Sequence, residues 1–194
     1  MLNYYIFDKN KEIVENIPAY ILEYSSKYKE KTAKENSTFS WYMLDKILKE
    51  KYDIDLSKEE IYLNEFKKPY IKNKSIYFSI SHSSSLSLIA ISDNEVGADI
   101  EELINYDNLD KLASKILSTK ELNEYYIALD KQSFLTRKWT IKEAYYKMKS
   151  TGISFLKLHN DIDDESINSF FVSDSLNKKY FVSIVNKNKE KVDN

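Results

Sequence analysis

The sequence contains no cysteine, and its 194 residues include only two glycines, two prolines and two histidines. Without cysteine, the chain cannot form a disulfide framework, a thiolate metal site or a cysteine nucleophile. No stretch rich in Pro, Gly or Ser marks a linker between two separate domains. Arg137 is the only arginine and the formal net charge is −2, so we expect no nucleic-acid partner.

Long apolar runs are also missing. No run approaches the ~18 residues that span a bilayer, so we expect no membrane partner. The N-terminus lacks the basic region and apolar core of a signal peptide. These features, with the absence of cysteine, predict a cytoplasmic protein. Hydrophobic residues make up 42% of the chain and charged residues 31%, which suits a globular domain with a core.

Helix and strand patterns alternate in the first half of the chain. Helical spacing of apolar residues predicts helices over residues 17–28 and 41–52, the second with Ser40 as its N-cap. Residues 29–38 are polar and predict a loop. Aromatic and branched residues predict strands over residues 2–7, 61–63, 76–80, 86–91 and 95–101.

The second half repeats this mixture. A helical stripe covers residues 109–117, and Ser118-Thr-Lys-Glu121 has the pattern of a capping box. A long helix is expected over residues 134–149, ended by Gly152 in a left-handed conformation. Strands follow over residues 170–173 and 180–185. We therefore expect an α+β fold of two closely packed subdomains, residues 1–96 and 97–194.

Asp99 and Glu101 lie two residues apart on a predicted strand, so their carboxylates project to the same side. Such a pair can seat a hard cation such as Mg²⁺ together with substrate phosphates. Gly97 just before them would allow a close approach of backbone or ligand. The alternative is a solvated acidic strand end, and this segment by itself leaves both interpretations open.

Glu143 and Lys147 lie four residues apart on the long predicted helix, away from an expected core face of Phe134, Ile141, Tyr145 and Met148. A surface Glu–Lys pair would be worth only ~0.2–0.5 kcal/mol. Trp139 lies on the same face, and a large aromatic residue is uncommon on a fully solvated face. The pattern therefore favours a cleft wall, with Lys142 able to reach its rim.

His82 stands among serines where the chain is expected to turn, near Ser81. Such a cluster offers several hydrogen-bond donors to a phosphate. A histidine that caps a turn is the alternative. The residues alone do not distinguish the two.

Four short segments contain these residues: Lys68-Pro-Tyr70, Phe78-Ser-Ile-Ser-His-Ser83, Gly97-Ala-Asp-Ile-Glu101 and Trp139-Thr-Ile-Lys-Glu-Ala-Tyr-Tyr-Lys147. They occur in the order and rough spacing of the 4′-phosphopantetheinyl transferases. The chain resembles this family, and most closely the type that activates surfactin-like peptide synthetases. The resemblance implies a pseudo-dimer of two similar α/β subdomains with the active site at their interface, and hence a monomer.

The resemblance also implies a function. The chain would transfer the 4′-phosphopantetheine group of coenzyme A to a serine of an apo acyl or peptidyl carrier protein, with Mg²⁺, and release 3′,5′-ADP. The implied metal ligands are Asp99, Glu101 and Glu143. The implied phosphate contacts are Lys147 and His82, helped by Ser81, Lys68 and Lys142. Either Glu121 or Glu143 would accept the proton of the serine.

The sequence departs from the family pattern at one point. The family often has arginine near the start of the second helix, where Phe39 and Ser40 stand here. Contacts to the nucleotide end of coenzyme A would then come from lysines such as Lys27 or Lys31. A catalytically weak relative that only binds coenzyme A or a carrier domain is one alternative function. A magnesium-dependent hydrolase of nucleotide pyrophosphates is another.

Overall fold

The computed structural model describes residues 1–162 and 166–187, so residues 188–194 of the second expected subdomain lie outside it. All paired strands in these ranges are antiparallel, in a mixed α+β arrangement. None of the helices in these ranges is both long enough and apolar enough to cross a membrane. The elements are β1 (Leu2–Asp8), α1 (Ala19–Ser25), α2 (Lys31–Tyr52), a 3-10 turn (Leu56–Lys58), β2 (Ile61–Leu63), β3 (Pro69–Ile71), β4 (Tyr77–Ser83), β5 (Leu86–Ser92), β6 (Val96–Glu102), α3 (Leu109–Ile116), α4 (Thr119–Ile127), α5 (Lys131–Lys149), α6 (Phe155–Leu158), β7 (Ile167–Ser173) and β8 (Lys179–Asn186).

The predicted loop over residues 29–38 is wrong, because α2 begins at Lys31. Glu30 caps this helix, and its carboxylate accepts hydrogen bonds from the backbone N–H groups of Thr32 and Ala33. Ser40, the predicted cap, is buried in the middle of the helix and donates to the carbonyl oxygen of Asn36 at 2.8 Å. Small polar residues are buried in this part of α2, so hydrophobic spacing could not reveal its first turns.

Two predicted chain turns also lie elsewhere. β4 continues past Ser81 to Ser83, and the chain turns at Ser84, which has φ +49°. α5 ends at Lys149 and is capped by Ser150, whose φ of +54° is left-handed, so the prediction that Gly152 ends the helix is wrong. The capping box of α4 is confirmed.

The two three-stranded sheets share one strand order. The first is β1-β5-β4 and the second is β6-β8-β7. In the first sheet, the central strand β5 pairs with β1 and β4, and in the second, the central strand β8 pairs with β6 and β7. In both sheets, the central strand is the last one along the chain. A long helix accompanies each sheet, α2 with 22 residues and α5 with 19. The second sheet begins at Val96, one residue before the predicted boundary between the subdomains.

β5 separates two hydrophobic cores, because its successive side chains point to opposite faces. Ile89 and Ile91 pack in the core around α2. Leu88 and Ala90 pack in a second core with residues of β6 and β8. Each fully buried Leu or Ile side chain contributes roughly 1.5–3 kcal/mol relative to exposure. The second core therefore binds the two sheets to each other.

α5 lies unusually close to β6. A Cβ atom built on Gly97 would lie 1.9 Å from the carbonyl oxygen of Ala144 and 2.4 Å from the backbone nitrogen of Met148. Only glycine fits there, so the predicted close approach at Gly97 is to the helix backbone. The buried side of α5 includes Thr136 and Thr140 as well, four residues apart.

The predicted core face of α5 is therefore only partly right. Met148 is buried, but Phe134, Ile141 and Tyr145 are half-buried. Small residues are buried beside the large ones of α5, and one of them, Ala144, lies where the helix backbone meets Gly97 of β6. Thr140 satisfies its hydroxyl by a 2.8 Å hydrogen bond with Ser183 of β8.

We expect Gly97→Ala to lower the free energy of unfolding by about 3 kcal/mol, because the added methyl group meets backbone atoms that cannot rotate away. Gly152→Ala is the control. It introduces alanine at φ +61° but faces only the Phe66 side chain, and should cost about 1 kcal/mol. Urea unfolding followed by circular dichroism measures both. Equal losses would contradict the proposed role of Gly97 in helix packing.

Candidate active site

One cavity of about 600 Å³ brings together seven of the ten residues that the sequence predicted as site residues. Strands β4 and β6, helix α5 and the segment before β3 supply these residues. They come from segments that are far apart in the sequence. The seven are Lys68, Ser81, His82, Asp99, Glu101, Glu143 and Lys147.

Asp99 and Glu101 face the cavity from β6, as their two-residue spacing predicts. β4 lies beside β6 and donates to both carboxylates. The Ser81 hydroxyl donates to Asp99 Oδ1 at 2.7 Å, and the Ser83 hydroxyl donates to Glu101 Oε2 at 3.0 Å. Asp99 is almost fully buried, so the interpretation of this segment as a solvated strand end is wrong for Asp99.

α5 adds Glu143 and Lys147 to the same cavity. Lys147 Nζ lies 2.6 Å from Asp99 Oδ1 and 3.2 Å from Ser81 Oγ. This contact joins α5 to both β6 and β4. The interpretation of Glu143 and Lys147 as an ordinary surface pair therefore does not hold, and both side chains belong to the cavity wall.

Burial and crowding of like charges dominate the electrostatics. Burial, with the Asp99 charge adding to it, raises the pKa of Glu101 from 4.5 to about 7. Burial also raises the pKa of Glu143, against the opposing effect of Lys147. Burial acts to lower the pKa of Lys147, but the neighbouring carboxylates, Asp99 above all, outweigh it and the pKa is raised. Three carboxylates thus share one ammonium group.

This excess of carboxylate fits a cation. Among residues 1–162 and 166–187, no three histidine or acidic side chains are already arranged around one metal position. However, Asp99 Oδ2 is buried and has no hydrogen-bond partner within these residues. A buried carboxylate oxygen without a partner is costly, and a divalent cation would satisfy it. Asp99, Glu101 and Glu143 therefore have the chemistry of a magnesium site.

His82 and Lys68 line the same cavity. Burial, and then the charge of Lys147, lower the pKa of His82, so the neutral imidazole predominates at pH 7. Lys68 is mostly buried and pairs with Glu95 at 2.6 Å, and it also donates to the carbonyl oxygen of Val96. Burial lowers the pKa of Lys68 even though Glu95 favours its charged form.

The structure places Lys142 elsewhere, so its predicted position at the rim of the cleft is wrong. Its side chain is fully buried, and Nζ lies 2.7 Å from Glu121 Oε2 and donates to the carbonyl oxygen of Asn160 at 2.7 Å. Glu121 also accepts from the backbone N–H of Ser118 in the capping box. Neither Lys142 nor Glu121 lines the cavity. Helical spacing indicates which face of α5 carries Lys142, but it does not show which residues pack against that face.

Lys31 also lies outside this cavity. Its side chain is 87% exposed, and it lines a smaller groove beside α1 and α2. Lys27, the other lysine considered for the nucleotide end, does line the main cavity, together with Tyr28 and Lys67.

Two contacts to Glu101 were not expected from the sequence. Ser83 donates to its carboxylate at 3.0 Å, and the side chain of Trp139 interacts with it more weakly. Trp139 was predicted to form the cavity wall, but it acts through Glu101 and does not line the cavity itself. The alternation of serines 79, 81 and 83 was the available signal for the first contact, but the predicted strand ended at residue 80.

The sequence matches one known protein family. The profile of the 4′-phosphopantetheinyl transferase superfamily matches residues 95–191, half of the 194 residues. The chain therefore belongs to the 4′-phosphopantetheinyl transferase superfamily. This matched region contains Asp99, Glu101, Glu143 and Lys147.

Individual relatives agree with the family. A holo-[acyl-carrier-protein] synthase of Buchnera aphidicola subsp. Schizaphis graminum is 37% identical over 73 residues, 35% of this chain and 58% of that protein. A holo-[acyl-carrier-protein] synthase of Mycoplasma mobile is 33% identical over 98 residues, 50% of this chain and 90% of that protein. A 4′-phosphopantetheinyl transferase of Aneurinibacillus migulanus is 35% identical over 96 residues, 46% of this chain and 38% of that protein.

The chain thus spans little more than half the length of the Buchnera relative. The relatives include both synthases and transferases, so the surfactin-synthetase-activating type stays a prediction.

The Glu121–Lys142 pair yields a stability prediction. Lys142→Met should lower the free energy of unfolding by about 3–5 kcal/mol, because it leaves a buried carboxylate without its closest cation. The double variant Glu121→Gln/Lys142→Met should lose clearly less. Lys138→Met is the control, since Lys138 lies 3.6 Å from Glu121 and is 25% exposed, and should cost at most about 1 kcal/mol. Urea unfolding of these variants, the single variant Glu121→Gln and the original protein gives the coupling energy. Strictly additive losses would show that the pair does not couple.

Proposed function

We propose that this protein transfers the 4′-phosphopantetheine group of coenzyme A to a serine of an apo acyl or peptidyl carrier protein, and releases 3′,5′-ADP. The observation that carries the proposal is the cavity in which three carboxylates, Lys147, Lys68 and His82 meet. Family membership and the names of the relatives support the same reaction.

Asp99, Glu101 and Glu143 would hold a magnesium ion in this proposal. The buried Asp99 oxygen without a partner and the crowded carboxylates support this assignment. When bound, the ion would withdraw negative charge from the pyrophosphate oxygens of coenzyme A.

The side chains have separate tasks in the transfer. The serine oxygen forms a bond to the β-phosphorus of coenzyme A, and the bond from that phosphorus to the bridging oxygen breaks. The leaving group takes both electrons of that bond and departs as 3′,5′-ADP. Lys147 and His82, with Ser81, would bind phosphoryl oxygens, where charge accumulates in the transition state.

Glu143 is the better candidate to accept the proton of the serine, directly or through water. It lines the cavity, whereas the carboxylate of Glu121 is held by Lys142 outside it. A base must lie within reach of the proton it removes, so position decides between the two. Lys142, in turn, supports the structure around Glu121.

The nucleotide end of coenzyme A would lie near Lys68 and Lys27. Both line the cavity, and Lys67 and Tyr28 add a charge and an aromatic ring to its wall. Lys31 is replaced in this role by Lys27, because only Lys27 reaches the cavity.

The chain would form its site as a monomer built from two similar halves. The shared strand order of the two sheets and the long helix in each half support a pseudo-dimer with subdomains 1–96 and 97–194. The cavity takes residues from both halves, as an active site at the subdomain interface requires.

Intact-protein mass spectrometry tests the reaction. The protein is mixed with coenzyme A, Mg²⁺ and a panel of apo carrier domains from fatty-acid, polyketide and peptide synthesis. We expect one carrier to gain a single phosphopantetheine mass, and EDTA to abolish the gain. Cleavage of coenzyme A without any modified carrier would indicate a hydrolase. Intact coenzyme A and unmodified carriers throughout would contradict transfer and favour a binding protein.

Charge-removing variants test the assigned site. Asp99→Asn and Glu143→Gln keep the shape of the side chains but remove the negative charge, and each should lower the transfer rate about 100-fold or more. Asp107→Asn is the matched control on an exposed loop, and its rate should equal that of the original protein. Circular dichroism checks that the fold is kept. Normal turnover by Asp99→Asn would mean that the metal site is elsewhere.

A further inference from the structure

A row of serines joins the two sheets where β4 lies beside β6. Ser79 accepts a hydrogen bond from the backbone N–H of Ala98 at 3.0 Å, and Ser81 donates to Asp99. Ser83 donates to Glu101 Oε2 and accepts from the backbone N–H of Glu102 at 3.1 Å. Successive serines of β4 reach successively later residues of β6, so the two strands run in the same direction. Serine hydroxyl groups therefore make the hydrogen bonds between β4 and β6 that backbone groups make between paired strands.

We propose that Ser83 is a positioning residue that orients the Glu101 carboxylate toward the metal site. This inference rests on the metal site of the proposed function. It means that the first half of the chain helps to build a metal site whose three ligands all belong to the second half.

The two carboxylates of β6 are held in different ways. Asp99 has a charged partner, Lys147, in addition to Ser81. Glu101 has neutral partners instead, the hydroxyl of Ser83 at 3.0 Å and, more weakly, the side chain of Trp139. Neutral donors fix the orientation of a carboxylate without adding a positive charge that would repel a cation. The neutral donors therefore orient Glu101 without placing a further positive charge where a metal ion would bind.

Ser83 has a matched counterpart that lacks the carboxylate. Ser92 on β5 also bridges the two halves, since it donates to Asn186 Oδ1 at 2.9 Å and accepts from the backbone N–H of Asn94 at 3.1 Å. Both serines thus make one donated and one accepted hydrogen bond. A merely structural role predicts similar effects when either hydroxyl is removed, whereas a positioning role predicts an effect on metal binding only at Ser83.

The test measures Mn²⁺ binding by loss of the electron paramagnetic resonance signal of free Mn²⁺, with and without coenzyme A. Mn²⁺ is a suitable probe because it prefers the same oxygen ligands as Mg²⁺. We expect Ser83→Ala to raise the dissociation constant about tenfold, since loss of an outer partner commonly costs 10–100-fold in metal affinity. Ser83→Thr, which restores a hydroxyl, and Ser92→Ala should each stay within about twofold of the original protein.

Trp139→Phe provides a second arm should Ser83→Ala fail to fold. It removes the other neutral donor but keeps an aromatic ring, and should weaken Mn²⁺ binding severalfold. Unchanged binding in both Ser83→Ala and Trp139→Phe would overturn the inference, as would equal losses in Ser83→Ala and Ser92→Ala or no Mn²⁺ binding by the original protein. A protein that binds Mn²⁺ with the expected pattern but modifies no carrier supports the role of Ser83 while contradicting the proposed transfer.

Discussion

The contact of α5 with β6 at Gly97 is the constraint on which the site depends. Because the helix backbone lies directly on the strand there, side chains of α5 lie close to those of β6. Lys147 can then approach Asp99 to 2.6 Å, and Glu143 lines the same cavity. A side chain at position 97 would move the helix outward, and this spacing would be lost.

The closely spaced side chains of α5 and β6 in the cavity include more carboxylate groups than ammonium groups. Three carboxylates and one ammonium group share one cavity, where the Asp99 charge disfavours ionisation of Glu101 and Glu143. The pKa of Glu101 is raised chiefly by burial, and the Asp99 charge raises it further. Structural clusters usually avoid such a surplus, whereas a site that receives a cation and an anionic substrate can use it. The surplus is thus better explained by ligand binding than by stability.

Local patterns predicted those features that depend on neighbouring residues. The alternation of Asp99 and Glu101 and the four-residue spacing of Glu143 and Lys147 were enough to place these residues on common faces. Lys142 was misplaced because its environment comes from α4 and from the loop at Asn160. The start of α2 was missed because its buried face is made of small polar residues. Both predictions failed because the environment of these residues depends on tertiary packing, which the spacing of residues along the chain does not specify.

The family match begins at residue 95, yet much of the cavity wall precedes it. Lys68, Ser81 and His82 belong to the first half of the chain, and so does Ser83, which holds Glu101. The second half alone would keep its carboxylates and Lys147 but lose these donors. It would also leave the β5-facing side of β6 uncovered. A chain limited to the matched region would need another copy to supply an equivalent wall, whereas this chain carries that wall within itself.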